Sequence, residues 1–361
     1  MNDSTATPSA GVLTGHDNSL RIRPGYPRLV LVWLLFFLIC LGLGYPALGR
    51  YDPARTEGLS DSIVYQRMVI DSPGARPRAE IFGGRILVPY TARAVYYLAG
   101  ARLRTWNPVA FSMLVASSLF CATTALLLVI VGEGAVGSLS LALVAAALYL
   151  LSFAIANLQL SGLIDAGESL FMLALVWSLI SGKWWLLPLL GIGGALAKET
   201  FVPFAAVFAI VWWLTAQRQK ANRLAALGWI AAMILSSNIA LVLIRMSLFG
   251  HPVWPWQIAA AMNSGRNFLP AFWGCISDRN FWYVFAWLLP LGVWKLKSLP
   301  RPWVWAAALT SVVALVLGAY NDMAGTVARP IFDIAGPLLS LSVALLISGR
   351  SSNATGRYAN S

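Results

Sequence analysis

The sequence predicts an all-α fold, a polytopic transmembrane helical bundle of about ten spans. Three observations carry the prediction. Hydrophobic residues make up 58% of the 361-residue chain and charged ones only 11%, a balance outside the range of water-soluble domains. The apolar residues fall into runs of roughly the ~20 residues that a helix needs to cross a bilayer. The short connectors between the runs alternate in basic content, as the positive-inside rule requires of a chain that weaves through a membrane. Sixteen tryptophans, many near the ends of runs, fit an interfacial aromatic belt.

In chain order, residues 1–27 form a small-residue, polar cytoplasmic tail predicted to be disordered. Arg21, Arg23 and Arg28 precede the first run, Leu29–Gly44, which is read as a retained span rather than a cleaved signal peptide: its basic flank starts late, and no convincing small-x-small site follows it. Further runs cover Pro108–Gly132, Ala135–Ala156, Ile164–Ser181, Trp184–Ala197, Phe201–Ala216, Leu224–Phe249, Asn280–Trp294, Trp303–Tyr320 and Val327–Ser348. The fifth and eighth runs are short, so they must tilt, thin the bilayer or be partly re-entrant. With the N-terminus inside, Lys183, the group Arg218, Lys220 and Arg223, the group Lys295, Lys297 and Arg301, and the tail from residue 350 to 361 all fall on the cytoplasmic side. Residues 28–349 thus form one membrane domain with both ends inside.

The segment 45–107 stands apart. It holds five acids (Asp52, Glu57, Asp61, Asp71, Glu80) and nine arginines from Arg50 to Arg104, with no lysine. Two amphipathic helices are expected in it, over Leu59–Val69 and Ile86–Leu103, the second with an apolar stripe of Leu87, Tyr90, Val95 and Leu98. Pro73, Pro77, Gly83 and Gly84 separate them. This is read as a large outer loop whose helices lie along the membrane surface.

Placing the ionisable residues on this topology loads one face. Besides the loop acids, Asp165, Glu168, Glu199, Asp278 and Asp322 fall outside or at outer span ends, and Asp333 about one turn deeper. Asn157, Gln159, Lys198, Arg245, His251, Arg266 and Arg329 join them. Charges at membrane depth are costly unless paired or hydrated, so their gathering predicts a polar cavity open to the outer side. Each residue has a plainer reading. Asp165 and Glu168 suit a helix N-terminus, Lys198–Glu199 a solvated turn, Arg329 and Asp333 an i, i+4 pair, and Asp61 and Tyr65 a surface pair of the same spacing. No plain reading explains why the same face is loaded each time.

Arginine at a membrane interface suits a lipid phosphate, which guanidinium binds bidentately. A nearby carboxylate suits a general base for an acceptor hydroxyl or a ligand for a divalent ion. No P-loop or dinucleotide fingerprint is present, and two histidines are too few for a histidine-rich metal site. Three cysteines make no disulfide framework. The net charge of +12 flanks membrane spans and does not mark nucleic-acid binding.

The arrangement resembles the GT-C superfamily of integral-membrane glycosyltransferases, in particular bacterial members without a large soluble domain. The resemblance rests on Asp61 in Asp61-Ser-Ile-Val-Tyr65, on Gly84-Arg85-Ile-Leu-Val-Pro89, on Asn157 to Asp165, on Ala197-Lys198-Glu199-Thr200, and on Arg329 with Pro337 in the last span. It covers about residues 28–348. It implies a polyprenyl-phosphate sugar donor, an inverting hexosyl or pentosyl transfer, and a site on the periplasmic or extracellular face of a bacterial cytoplasmic membrane. It implies Asp61 as the catalytic carboxylate, Arg85, Lys198 and Arg329 as phosphate ligands, Asp165 as an orienter of sugar or acceptor, and Tyr65, Asn157 and Glu199 as further substrate-binding positions. The only cofactor in view is a divalent cation, and the lack of a paired acidic dipeptide in the first loop argues against one. The chain carries no C-terminal soluble domain to recognise a protein, so a lipid-linked glycan or a lipid is the expected acceptor. The alternatives are an O-antigen-type polymerase or ligase, whose long loop is expected late in the chain, and a transporter or flippase of an anionic lipid, for which internal repeats and midplane charges are expected.

Overall fold

The computed structural model describes residues 26–50, 61–70, 82–99, 105–216, 223–254, 257 and 267–349. The tails and the loop acids Asp52, Glu57, Asp71 and Glu80 lie outside the described residues. Within them every regular element is a helix. Six stretches are long and apolar enough to cross a membrane: Pro27–Gly49, Pro108–Val136, Leu139–Ser161, Arg223–Phe249, Arg301–Tyr320 and Ala328–Ile347. The protein is therefore a multi-pass helical membrane bundle.

In chain order the helices used below are α1 (Tyr26–Arg50), α2 (Ser62–Ile70), α3 (Leu87–Ala99), α4 (Pro108–Val136), α5 (Leu139–Leu150), α6 (Phe153–Asn157), α7 (Asp165–Ile180), α8 (Leu187–Ala197), α9 (Phe201–Thr215), α10 (Arg223–Phe249), α11 (Phe268–Ser277), α12 (Arg279–Phe285), α13 (Leu288–Gly292), α14 (Arg301–Tyr320) and α15 (Ala328–Ile347). Helix ends are written in the sequence. The Asn107 side chain accepts hydrogen bonds from the Val109 and Ala110 amides at 2.9 and 3.2 Å, Pro108 fills the first turn, and Gly137 closes α4 in the left-handed conformation.

Helix α15 is the axis of the bundle, with α5, α7, α13 and α14 packed around it. Its apolar stretch is 83% buried, against 17% for α1, which turns Val30, Leu31, Leu34, Leu35 and Leu38 outward as a lipid-facing helix does. Close crossings use small residues. At Gly167 of α7 an added Cβ would lie 2.9 Å from the Ala197 Cβ and 3.0 Å from Val88 Cγ2. That glycine lets the start of α7 sit against the end of α8 and the face of α3, which decides where the polar residues meet.

Two expectations change. Of the eighth apolar run, Asn280–Trp294, the structure makes α12, α13 and a 3-10 stretch, Val293–Ser298. Pro290 lies in this run, where its ring and missing N–H cannot extend a long helix. Both loop helices are present, over Ser62–Ile70 and Leu87–Ala99, and residues 59–60 and 100–103 of the predicted spans lie outside the described residues. The stripe of Leu87, Tyr90, Val95 and Leu98 is not the buried face of α3: Val88, Pro89 and Ala92 are buried, and Leu98 is 80% exposed. The α3 contacts run to α2, α4, α7 and α8, so the face that packs is set by those neighbours rather than by the most apolar stripe.

Candidate functional site

The bundle opens at one end into a cavity of about 640 Å³, in the size range that holds drug-sized ligands. Its polar wall comes from Asp61, Tyr65, Arg85, Asp165, Lys198, Glu199, Arg245 and Arg329. These residues sit at helix starts and ends: Asp61 just before α2, Asp165 at the first residue of α7, Lys198 and Glu199 in the break between α8 and α9, and Arg329 in the first turn of α15. Placed there, a charge reaches the mouth of the cavity without crossing the apolar mid-section of the bundle.

Two ion-pair groups fill the wall. In the first, Lys198 Nζ lies 2.6 Å from Asp165 Oδ1 and 2.7 Å from Glu168 Oε2, with all three side chains buried. Thr200 Oγ1 donates to the other Glu168 oxygen at 2.7 Å. Arg329 approaches the second Asp165 oxygen at 3.4 Å and Asp61 Oδ2 at 3.6 Å. In the second group, Arg85 Nε donates to the Glu199 oxygens at 2.8 and 3.0 Å, and Nη2 donates to Oε1 as well. Arg85 Nη1 donates to the Tyr65 hydroxyl at 2.6 Å, and the guanidinium lies over the Phe82 ring.

The plain pairings read from spacing are overturned. Lys198–Glu199 is not a solvated turn, since Lys198 is 7% exposed and both residues bind partners across the bundle. Arg329 turns to Asp165 and Asp61 rather than to Asp333. Asp333 instead accepts hydrogen bonds from Gln159 Nε2 at 2.9 Å and from Ser169 Oγ. Tyr65 bonds to Arg85 through its hydroxyl, not to Asp61. Glu168 does begin a helix, but its carboxylate is used by Lys198 and Thr200.

Burial disfavours every charge here, and the partners decide the outcome. Burial pushes the Tyr65 phenol up to about 12 despite the pull of Arg85, so it is neutral at physiological pH. Burial also works against the Arg85 charge, yet Glu199 and Tyr65 hold it well above its ordinary value. Glu199 is held below its ordinary value by Arg85, against burial, and Lys198 above its ordinary value by Asp165 and Glu168, again against burial.

Asp165, Glu168 and Asp333 bring carboxylate oxygens within 4.8 Å of one another, a spacing that could serve a metal ion. They do not fit one as arranged, because the Lys198 ammonium already neutralises two of the three at contact distance.

Seven of the eight residues anticipated from sequence line this cavity; Asn157 is not among the lining residues, and its amide donates to the Phe153 carbonyl within α6 at 3.4 Å. Arg245 was legible on the loaded face but not as a site residue. It is 0% exposed on α10, lines the cavity, and the signal for it was a lone arginine in a long apolar helix.

Fold and site together define a multi-pass helical membrane protein with a charge-lined cavity at one end of the bundle. Set against protein-family models, curated proteins and solved structures, the chain finds no match. What it does must be read from the cavity.

Proposed function

We propose that the protein is a membrane glycosyltransferase that moves a sugar from a polyprenyl-phosphate donor to a lipid-linked glycan or lipid acceptor, at the outer face of a bacterial cytoplasmic membrane, with ten spans and both termini inside. One observation carries the reading: the cavity's acids differ in access. The side chains of Asp165, Glu168 and Glu199 are 2%, 1% and 13% exposed, whereas that of Asp61 is 28% exposed. Asp61 is the carboxylate an acceptor can reach.

In this mechanism the acceptor hydroxyl gives its proton to the Asp61 carboxylate while its oxygen attacks the anomeric carbon. The bond from that carbon to the phosphate oxygen breaks, and its electron pair leaves with the lipid phosphate, inverting the anomeric centre. The phosphate gains one negative charge, which the guanidinium groups at the cavity wall stabilise as it develops. Arg329, bridging Asp61 and Asp165, fixes the base relative to the wall. The GT-C resemblance in sequence agrees with this scheme.

The test is sugar transfer in membranes supplied with a radiolabelled polyprenyl-phosphate sugar. Asp61→Asn is expected to abolish transfer while leaving expression and thermal unfolding unchanged. Full activity in that variant removes Asp61 from the role.

A further inference from the structure

One cation of the cavity wall has no counter-ion in contact. Arg245 is 0% exposed, yet among the described residues none of its Nε, Nη1 and Nη2 has a hydrogen-bond partner. A guanidinium carries five N–H donors, and leaving them buried and unpaired costs several kcal/mol. Glu199 is the acid that influences it, but both Glu199 oxygens are taken by Arg85. Gly84 lies beside it: a Cβ there would be in ordinary van der Waals contact with Arg245 Nη2 and Nε, at 3.4 and 3.6 Å. Arg85 and Lys198, by contrast, are saturated by carboxylates and hold the wall together.

The cavity continues from Arg245 along α10 past Leu241 and Ile234, faced by Ala314 and Leu317 of α14. Helices α10 and α14 both pack extensively on α9 and far less on one another. Apart from Asn238, the side chains lining the cleft between them are apolar. An apolar chain lying in the bilayer can enter here sideways and bring a charged head to Arg245 without crossing water.

We infer that Arg245 receives the phosphate of an isoprenoid-linked ligand whose chain enters between α10 and α14. This rests on the reading of the cavity as a lipid-phosphate sugar site, and it deepens that reading by naming the receptor and the route. At 640 Å³ the cavity takes the head and the first part of the chain, and the remainder continues through the cleft into lipid. A free phosphate shares the head chemistry but has no use for the cleft.

Binding, not turnover, tests it. The full-length protein in detergent is titrated with farnesyl phosphate, farnesol and inorganic phosphate. Farnesyl phosphate is expected to bind wild type at least about tenfold tighter than either of the others, since a charge-assisted hydrogen-bonded pair is worth ~1.5–3 kcal/mol. Arg245→Gln is expected to lose about tenfold or more for farnesyl phosphate and nothing for farnesol. Leu317→Trp, which narrows the cleft at a half-exposed position, is expected to weaken farnesyl phosphate and leave inorganic phosphate unchanged. Equal affinity of Arg245→Gln and wild type for farnesyl phosphate overturns the receptor. Inorganic phosphate binding as tightly as farnesyl phosphate overturns the route, as does undiminished binding in Leu317→Trp. Wild-type protein that binds farnesyl phosphate in this way but transfers no sugar in the membrane assay refutes the enzyme reading and leaves this one standing.

Discussion

Replacing Lys198 by methionine removes one ammonium and keeps the apolar stem. The ammonium sits 2.6 Å from Asp165 and 2.7 Å from Glu168, and those side chains are 2% and 1% exposed. The variant therefore strands two buried carboxylates with Arg329, 3.4 Å from Asp165, as the remaining cation at hand. Breaking a buried pair by removing one partner costs ~3–5 kcal/mol. At roughly 2–4 °C per kcal/mol for a chain of this order of size, the midpoint should fall by about 6–20 °C. The structure supplies its own probe. Cys40, Cys121 and Cys275 are all fully buried, so a thiol-reactive fluorophore reports unfolding in detergent with little background. Adding Glu168→Gln to Lys198→Met should recover part of the loss by deleting one stranded charge, although Glu168→Gln alone should destabilise. A Lys198→Met midpoint within about 2 °C of wild type, or a strictly additive double variant, refutes the claim that this lysine neutralises the pair.

Gly167→Ala should lower the midpoint by an amount corresponding to ~1–3 kcal/mol, because its Cβ meets Ala197 and Val88 at 2.9 and 3.0 Å and overpacks the α7–α8 crossing; an unchanged melt shows that the crossing can relax. Arg85 depresses the Glu199 carboxyl below its ordinary 4.5, so this pair contributes stability fully above pH 4.5 and loses it as pH falls through the depressed folded value. The wild-type melting midpoint should therefore fall on acidification below about that pH, with a shallower acid limb in Glu199→Gln, and parallel limbs refute the assignment. Asn157→Ala should leave ligand binding and transfer within about twofold of wild type, since the amide bonds within its own helix rather than at the cavity wall; a large loss in binding places the residue in the site after all.

Sequence reading was strongest where one physical rule acts alone. Apolar run length found the long spans, and the cost of charge in lipid found the loaded face. Both rules are one-dimensional: they place a residue along the membrane normal and say nothing of direction around a helix. That is why spacing alone leaves a pairing of Arg329 with Asp333, four residues on, open beside its place in the cavity. Which partner it takes is settled by the 3.4 Å approach of Asp165 from α7, a contact between helices that no spacing encodes. The same limit hid the buried face of α3, where Val88, Pro89 and Ala92 pack because of α4 and its neighbours. Arg245 escaped for a further reason: its importance lies in the partner it lacks, and a missing contact is invisible until every neighbour has been placed.

The distribution of partners gives the cavity its division of labour. The acids with the shortest contacts, Asp165, Glu168 and Glu199, each meet a cation that is itself almost fully buried, and they carry the wall between α7, α8 and the loop before α3. A ligand that displaced any of these cations would have to replace two or more charge-assisted bonds at once, so exchange there is slow and costly. Of the remaining groups, Asp61 is partly exposed, and Arg245 is buried and, among the described residues, without a hydrogen-bond partner. One is an acceptor of protons and the other a receptor for negative charge, and they belong to separate elements, the start of α2 and the end of α10. The proposed transfer, which sheds a proton at one point and creates negative charge at another, would draw its base and its phosphate receptor from these two different elements.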